Sequence, residues 1–127
     1  MKKQDLPLSP HLQIYKPQIT SLLSISHRIS GVALNFVLVI LVLGLLCITL
    51  GESYFELLIS LITFFPIKII IFLAILGFSY HFLNGIRHII WDFGFLLGNR
   101  SSAIFGYIII ATSLISSIFI SRLLGLF

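Results

Sequence analysis

The sequence predicts an all-α membrane protein with three transmembrane helices, organised as a single domain over residues 1–127. Hydrophobic residues make up 58% of the chain and charged residues only 9%, and the mean hydropathy is +1.14. This composition excludes a soluble globular domain. The long Ile/Leu/Phe runs lack the alternation of barrel strands, so helices are the structures that can satisfy the backbone hydrogen bonds within a bilayer.

The N-terminal segment and the first helix differ sharply in composition. Residues 1–20 are polar and contain three of the four prolines, which predicts an irregular segment. His11 lies in it and is interpreted as a surface histidine. The first helix is expected to begin near Thr20 or Ser21, either of which could cap it. Its uncharged part, at about 29–51, is long enough to span a bilayer.

Two further spans are predicted after the first. Residues 51–66 carry two glutamates and predict a connecting loop with a short interfacial amphipathic helix. The second span is expected at about 67–90, with Pro66 suited to the first turn of its helix. The third span is expected at about 103–124.

The basic residues predict the orientation of the three spans. Those expected on one side are Lys2, Lys3, Lys16, Arg28, Arg87 and Arg100, and those on the other are Lys68 and Arg122. The positive-inside rule then places the N-terminus in the cytoplasm or the matrix. Neither a signal peptide nor a basic transit peptide is visible, which favours a bacterial inner membrane, with the mitochondrial inner membrane as the alternative. The net charge of +4 is attributed to this loop asymmetry and not to nucleic-acid binding.

The second predicted helix carries glycine and histidine in alternation along one face. His81 and His88 are seven residues, or two helical turns, apart, with Gly85 between them and Gly77 one turn before His81. A glycine on each side of a histidine leaves a flat gap beside the imidazole. Either a broad planar ligand or a closely packed helix could fill that gap.

The first predicted helix carries a polar stripe at the same membrane depth. Ser24, His27, Arg28 and Gly31 recur at helical spacing, and the first helix enters the membrane on the side where the second ends. Neutral imidazole is a common ligand of haem iron. The two propionates of a haem need cationic partners; candidates are His27, Arg28, Arg87 and His88.

Each of these residues has a simpler interpretation when it is taken alone. An intramembrane histidine can hydrogen-bond a neighbouring helix, arginines can anchor helix ends at the interface, and glycines can serve packing. Their coincidence at one depth favours a cofactor site with His81 as the ligand. His27 lies at the mouth of the first helix and His88 lies on the same helix as His81, so neither easily reaches the opposite face of a haem. The third helix contains no histidine, and a second axial ligand would therefore have to come from another chain. The single cysteine, Cys47, cannot hold an iron-sulfur cluster, and the absence of acidic residues within the spans argues against a transporter.

Three segments closely resemble the cytochrome b membrane-anchor subunit of succinate dehydrogenase, respiratory complex II. They are residues 9–21, residues 24–31 with an HRxxG pattern, and residues 81–92 with an HxxxGIRHxxWD pattern. The resemblance covers essentially the whole chain. It implies that His81 is an axial ligand of haem b, and that the second histidine comes from a companion membrane anchor in the same complex. The residues that it places near the haem propionates are His27, Arg28 and His88.

The same resemblance implies a role in ubiquinone reduction. It places Ser24 and Arg28 at the ubiquinone headgroup, in a pocket shared with the companion anchor and the iron-sulfur subunit, and Asp92 near that pocket. Succinate oxidation would then occur in a flavoprotein partner. Two alternatives remain at this point: a quinol:fumarate reductase anchor with the opposite direction of electron flow, and a non-catalytic membrane packing or assembly protein.

Overall fold

The computed structural model describes residues 16–127, and within them the chain is almost entirely helical. The helices are α1 (Ile19–Leu50), α2 (Glu52–Thr63), α3 (Phe65–Asp92) and α4 (Asn99–Leu123). No strand occurs in this part of the chain. Three of the helices, α1, α3 and α4, are long and apolar enough to cross a membrane. The predicted fold class is therefore confirmed. His11, which was interpreted as a surface histidine, lies outside the described residues.

The N-terminal boundary of α1 differs from the prediction. The N-cap residue is Gln18, whose carbonyl accepts hydrogen bonds from the backbone N–H groups of Ser21 and Leu22 at 3.0 and 3.1 Å. Thr20 and Ser21 lie inside the first turn, and no side chain caps the helix. The expected cap was wrong because the helix begins at Ile19, before either predicted capping residue, and it begins without a side-chain cap.

The short connecting helix is confirmed, and its ends have identifiable causes. Gly51 separates α1 from α2 with a φ of 118°, a conformation that side-chain-bearing residues rarely adopt. Pro66 occupies the first turn of α3, where its missing N–H costs no hydrogen bond. The location of α2 at a membrane interface stays a prediction.

The last helix begins about one turn earlier than expected. Gly98 is its N-cap in an extended conformation, and its carbonyl accepts a hydrogen bond from Ser102 N–H at 2.8 Å. The polar residues 99–102 thus form the first turn of α4 instead of a loop. This early start brings Ser102 to face α3, which matters for the site below.

Most of the buried side chains in the described bundle are polar, and serine is the commonest of them, whereas the exterior is mainly apolar. The buried hydrophobic side chains among the described residues are Leu23, Ile109 and Leu126. The buried polar ones are Ser79, Asn84, Arg87, Ser102, Ser113, Ser117 and Ser121. Small residues let helix backbones approach closely, and lipid solvates the outer apolar faces. Both α1 and α3 contact each of the other three helices, and the most extensive contact is between α3 and α4.

Candidate functional site

The candidate site lies where α1 and α3 cross, and each helix contributes a histidine followed four residues later by a glycine. On α1 these are His27 and Gly31, and on α3 they are His81 and Gly85. The ring Nε2 of His27 lies 3.2 Å from the carbonyl oxygen of His81. The ring Nδ1 of His81 lies 3.1 Å from the carbonyl oxygen of His27. We call this reciprocal pair of hydrogen bonds the histidine clasp.

The clasp requires a glycine at position 31, whereas the space at Gly85 would also admit a methyl group. In a helix the carbonyl of residue i lies beside residue i+4, so each glycine exposes the carbonyl of its own histidine. A Cβ added at Gly31 would lie 2.8 Å from Cε1 of His81, and one added at Gly85 would lie 3.9 Å from Nε2 of His27. The gap predicted beside Gly85 is therefore occupied by the His27 ring of a closely packed helix, the second of the two alternatives. The position of a Cβ at Gly77 has no atom within 4 Å.

The three histidines of the described chain form a stack, which we call the histidine column. His27 lies between His81 and His88, with ring centroids 4.1 Å from His81 at an interplanar angle of 22° and 5.2 Å from His88 at 30°. Trp91 continues the column, edge to face with His88 at 5.2 Å. The predicted meeting of His27, His81 and His88 is thus observed. The three rings stack on one another, so their nitrogens do not point toward a common centre. Residues 16–127 contain no cluster of three His, Cys, Asp or Glu side chains placed to hold a metal ion.

Two further side chains strengthen the crossing. The hydroxyl of Ser30 donates to the His27 carbonyl at 2.8 Å, and its oxygen lies 3.1 Å from Nδ1 of His81. The Tyr80 hydroxyl donates to the Leu23 carbonyl at 2.8 Å. Sequence reasoning had not assigned a role to Ser30. Its spacing of three residues from His27 on a polar stripe was the available signal.

The side chains predicted for a quinone site stand apart from the clasp. Ser24 is partly buried, while Arg28 and Asp92 are exposed. Within residues 16–127 none of these three makes a hydrogen bond or an ion pair. Since Gly31 faces His81 and His27 faces Gly85, α1 and α3 run antiparallel, and Ser24 lies toward the end of α3 that carries Asp92. The three polar groups therefore belong to one end of the bundle.

Arg87 does not hold the position expected for a propionate partner. Its side chain is fully buried, with 0% exposure, and Nη2 donates to the Oγ and carbonyl oxygen of Ser102 at 2.9 and 3.1 Å. Its guanidinium carbon lies 4.1 Å from the Trp91 ring centroid. The correction follows from helix geometry, because Arg87 faces α4 while His88 faces α1. Arg87 ties α3 to α4 and is closed to an external anion.

Replacing Arg87 with methionine is expected to destabilise the protein by about 1–3 kcal/mol, because the change leaves the buried hydroxyl of Ser102 without its donor. Methionine retains most of the side-chain volume. The measurement is the thermal or denaturant midpoint of the detergent-solubilised complex. Arg122→Met serves as the control, since Arg122 is exposed on the last turn of α4. Equal midpoints for both variants would contradict the structural role of Arg87.

Comparison with known proteins identifies the family. The family model for the succinate dehydrogenase/fumarate reductase transmembrane subunit matches residues 2–120. This chain belongs to that family. This chain is 43% identical over 109 residues to the succinate dehydrogenase cytochrome b556 subunit of Rickettsia typhi, and the alignment covers 86% of this chain and 85% of the relative. It is 41% identical over 123 residues to the cytochrome b560 subunit of Chondrus crispus, covering 90% and 93%.

The family assignment agrees with the architecture. This chain is a membrane subunit of the succinate dehydrogenase/fumarate reductase family, and it has three apolar helices long enough to span a membrane. The matched region contains the whole histidine column and Arg87. A third relative, the cytochrome b560 subunit of Marchantia polymorpha, is 44% identical over 101 residues, covering 75% of this chain and 73% of the relative. The predicted resemblance is thereby confirmed.

Proposed function

We propose that this chain is the cytochrome b membrane anchor of succinate:ubiquinone oxidoreductase, that it contributes one axial ligand to a haem b, and that it forms part of the ubiquinone-reducing pocket. Electrons would reach this pocket from the iron-sulfur subunit. The names of the relatives, which are all cytochrome b subunits of succinate dehydrogenase, support this direction of electron flow over fumarate reduction. The observation that carries the proposal is the hydrogen bonding of His81.

The ring of His81 has the bonding pattern of a haem ligand. A carbonyl oxygen only accepts hydrogen bonds, so Nδ1 of His81 carries the hydrogen that bonds the His27 carbonyl. In a neutral imidazole the lone pair then resides on Nε2. Nε2 makes no hydrogen bond to the described residues. Metal-bound histidines commonly have one ring nitrogen bonded to a carbonyl and the other on the metal, so His81 fits as an axial ligand.

The second axial ligand would come from a companion membrane anchor in the same complex. A second histidine ligand would have to face His81 across the bound haem. The His27 ring instead stacks nearly parallel to His81 at 4.1 Å, which leaves no room for a macrocycle between the two rings. His88 lies beyond His27 in the same column. Neither can therefore supply the ligand opposite His81.

The residues proposed to receive the haem propionates are His27, Arg28 and His88. Arg28 is exposed and without an ion pair in the described chain, and an arginine can bind a carboxylate through two hydrogen bonds. When bound, the haem would supply a one-electron redox centre beside the quinone pocket. The chain itself would hold the haem through His81 as an iron ligand and through the residues that bind its propionates.

The quinone pocket would use Ser24, Arg28 and Asp92. A serine hydroxyl and a guanidinium can donate to a quinone carbonyl, and the guanidinium stabilises the negative charge that develops as the ring is reduced. Asp92 would lie near the pocket mouth. The proposed partners are the companion membrane anchor, the iron-sulfur subunit and the flavoprotein subunit. The proposed location is a bacterial inner membrane, or alternatively the mitochondrial one, with the N-terminus on the cytoplasmic or matrix side.

Ser24→Ala and Arg28→Leu are each expected to lower the succinate–ubiquinone reductase rate at least about tenfold, because a hydrogen bond to a developing charge contributes about 1.5–3 kcal/mol. Succinate oxidation with a soluble dye as the acceptor should persist, since the dye does not need this pocket. Both rates are measured on the same membranes. Ser60→Ala on α2 is the control and should leave both rates unchanged. A parallel loss of both rates would contradict the pocket assignment and indicate failed assembly.

A further inference from the structure

Ser30 makes two hydrogen bonds at once, and one of them reaches the proposed haem ligand. Its Oγ lies 2.8 Å from the His27 carbonyl on its own helix and 3.1 Å from Nδ1 of His81 on α3. Nδ1 of His81 lies 3.1 Å from the same carbonyl. The hydroxyl, the carbonyl and the ring nitrogen therefore form a closed triangle of polar atoms between α1 and α3.

The positions of the hydrogens in this triangle follow from the chemistry of the three groups. The carbonyl can only accept, so the Ser30 hydroxyl donates its single hydrogen to it. The Ser30 oxygen then has a lone pair available for Nδ1–H of His81. That N–H is shared between two acceptors, the Ser30 oxygen and the His27 carbonyl. Ser30 thus supports the same tautomer of His81 as the carbonyl does.

Many serines on membrane helices bond only a carbonyl of their own helix, and Ser116 on α4 is an example. Its hydroxyl donates to the Ser113 carbonyl at 3.0 Å, and the described structure gives it no second polar partner. Ser30 differs because its oxygen also meets a ring from another helix. The Ser30 hydroxyl therefore links two helices, whereas most such hydroxyls bond only within their own helix.

We infer that Ser30 is a positioning residue that orients His81 and sets the reduction potential of the haem through the hydrogen bond to Nδ1. This inference rests on the proposed function of His81 as an axial ligand. An acceptor on Nδ1–H increases the electron density of the imidazole and makes Nε2 a stronger donor. A stronger donor favours oxidised iron, so loss of this acceptor raises the haem potential.

The test is a redox titration of haem b in the purified complex with all its partner subunits, with Ser30→Ala compared with Ser30→Thr. Threonine keeps a hydroxyl that can accept from Nδ1–H, so Ser30→Thr should keep the original midpoint potential. Ser30→Ala should retain haem and show a higher midpoint potential. Ser116→Ala, which removes a serine hydroxyl that makes only a bond within its helix, should leave the potential unchanged. Low-temperature EPR of the ferric haem should show altered g values for Ser30→Ala alone.

Each outcome decides the inference. A potential for Ser30→Ala equal to that of Ser116→Ala and of the unaltered complex would overturn it. Loss of haem from Ser30→Ala but not from Ser30→Thr supports it, because only the hydroxyl distinguishes the two. Loss of haem from both variants counts against it, because threonine retains the hydroxyl. If His81→Leu keeps its haem, the ligand assignment itself fails, and that failure is visible without any Ser30 variant.

Discussion

Replacing His81 with leucine is expected to remove nearly all of the b-type haem absorption from the assembled complex. Leucine has no ligand atom, so the bond that we propose between residue 81 and the haem iron would be lost. The reduced-minus-oxidised spectrum of the purified complex, normalised to total protein, measures this directly. The expected effect is large because the described bundle retains no other histidine able to reach the same iron position: His27 and His88 both lie in the stack beside His81.

The leucine variant also breaks the histidine clasp, so a second variant is needed to separate ligation from packing. Asparagine at position 81 keeps an N–H donor close to the place of Nδ1, within reach of the His27 carbonyl. It removes the ligand nitrogen. Haem should therefore be absent from His81→Asn as well. Retention of haem in His81→Asn alone would mean that residue 81 holds the helices together without binding iron, as in a packing or assembly protein.

Substituting Gly31 with alanine is expected to displace the His81 ring and to destabilise the α1–α3 crossing by about 1–3 kcal/mol, the usual cost of overpacking. The added Cβ would lie 2.8 Å from Cε1 and 3.4 Å from Nδ1 of His81, and the ring cannot turn aside without losing its bond to the His27 carbonyl. Lower haem occupancy and a lower thermal midpoint of the complex should therefore appear together. Both are measured on the same purified sample.

The matching substitution in the other half of the clasp provides the control. A Cβ at Gly85 would meet only Nε2 of His27, at 3.9 Å, which is an ordinary van der Waals contact. Alanine also favours the helix over glycine by about 1 kcal/mol. Gly85→Ala should therefore be neutral or slightly stabilising. If Gly85→Ala proves as damaging as Gly31→Ala, the difference in free space between the two glycines is contradicted.

Much of the site was predictable from residue type and spacing, and the limits of that prediction have physical causes. Helical periodicity placed His81, His88 and Gly85 on one face, and the antiparallel order of the spans brought His27 to the same depth. Periodicity within one helix cannot show which atoms of another helix fill a gap. The sequence therefore left two candidates for the space beside Gly85, and the structure places the His27 ring there.

Two of the expectations that failed among the described residues illustrate the same limit. A cap at Thr20 or Ser21 was chosen from side-chain preference, but the backbone carbonyl of Gln18 begins the helix without a side-chain cap. The sequence offers Arg87 as a partner of a haem propionate or, taken alone, as an anchor at the membrane interface. The start of α4 at Asn99 brings Ser102 within 2.9 Å of its guanidinium and buries it.

The sequence alone determined the class of protein, its three apolar helices and the family, because hydropathy and local spacing are properties of the chain itself. The tertiary structure decided which hydrogen bonds join the helices. Each histidine ring bonds the backbone carbonyl of the other histidine, and the Ser30 hydroxyl bonds both the His27 carbonyl and the His81 ring. These bonds depend on the relative position of two helices whose histidines lie 54 residues apart in the chain, and only packing in three dimensions fixes that position.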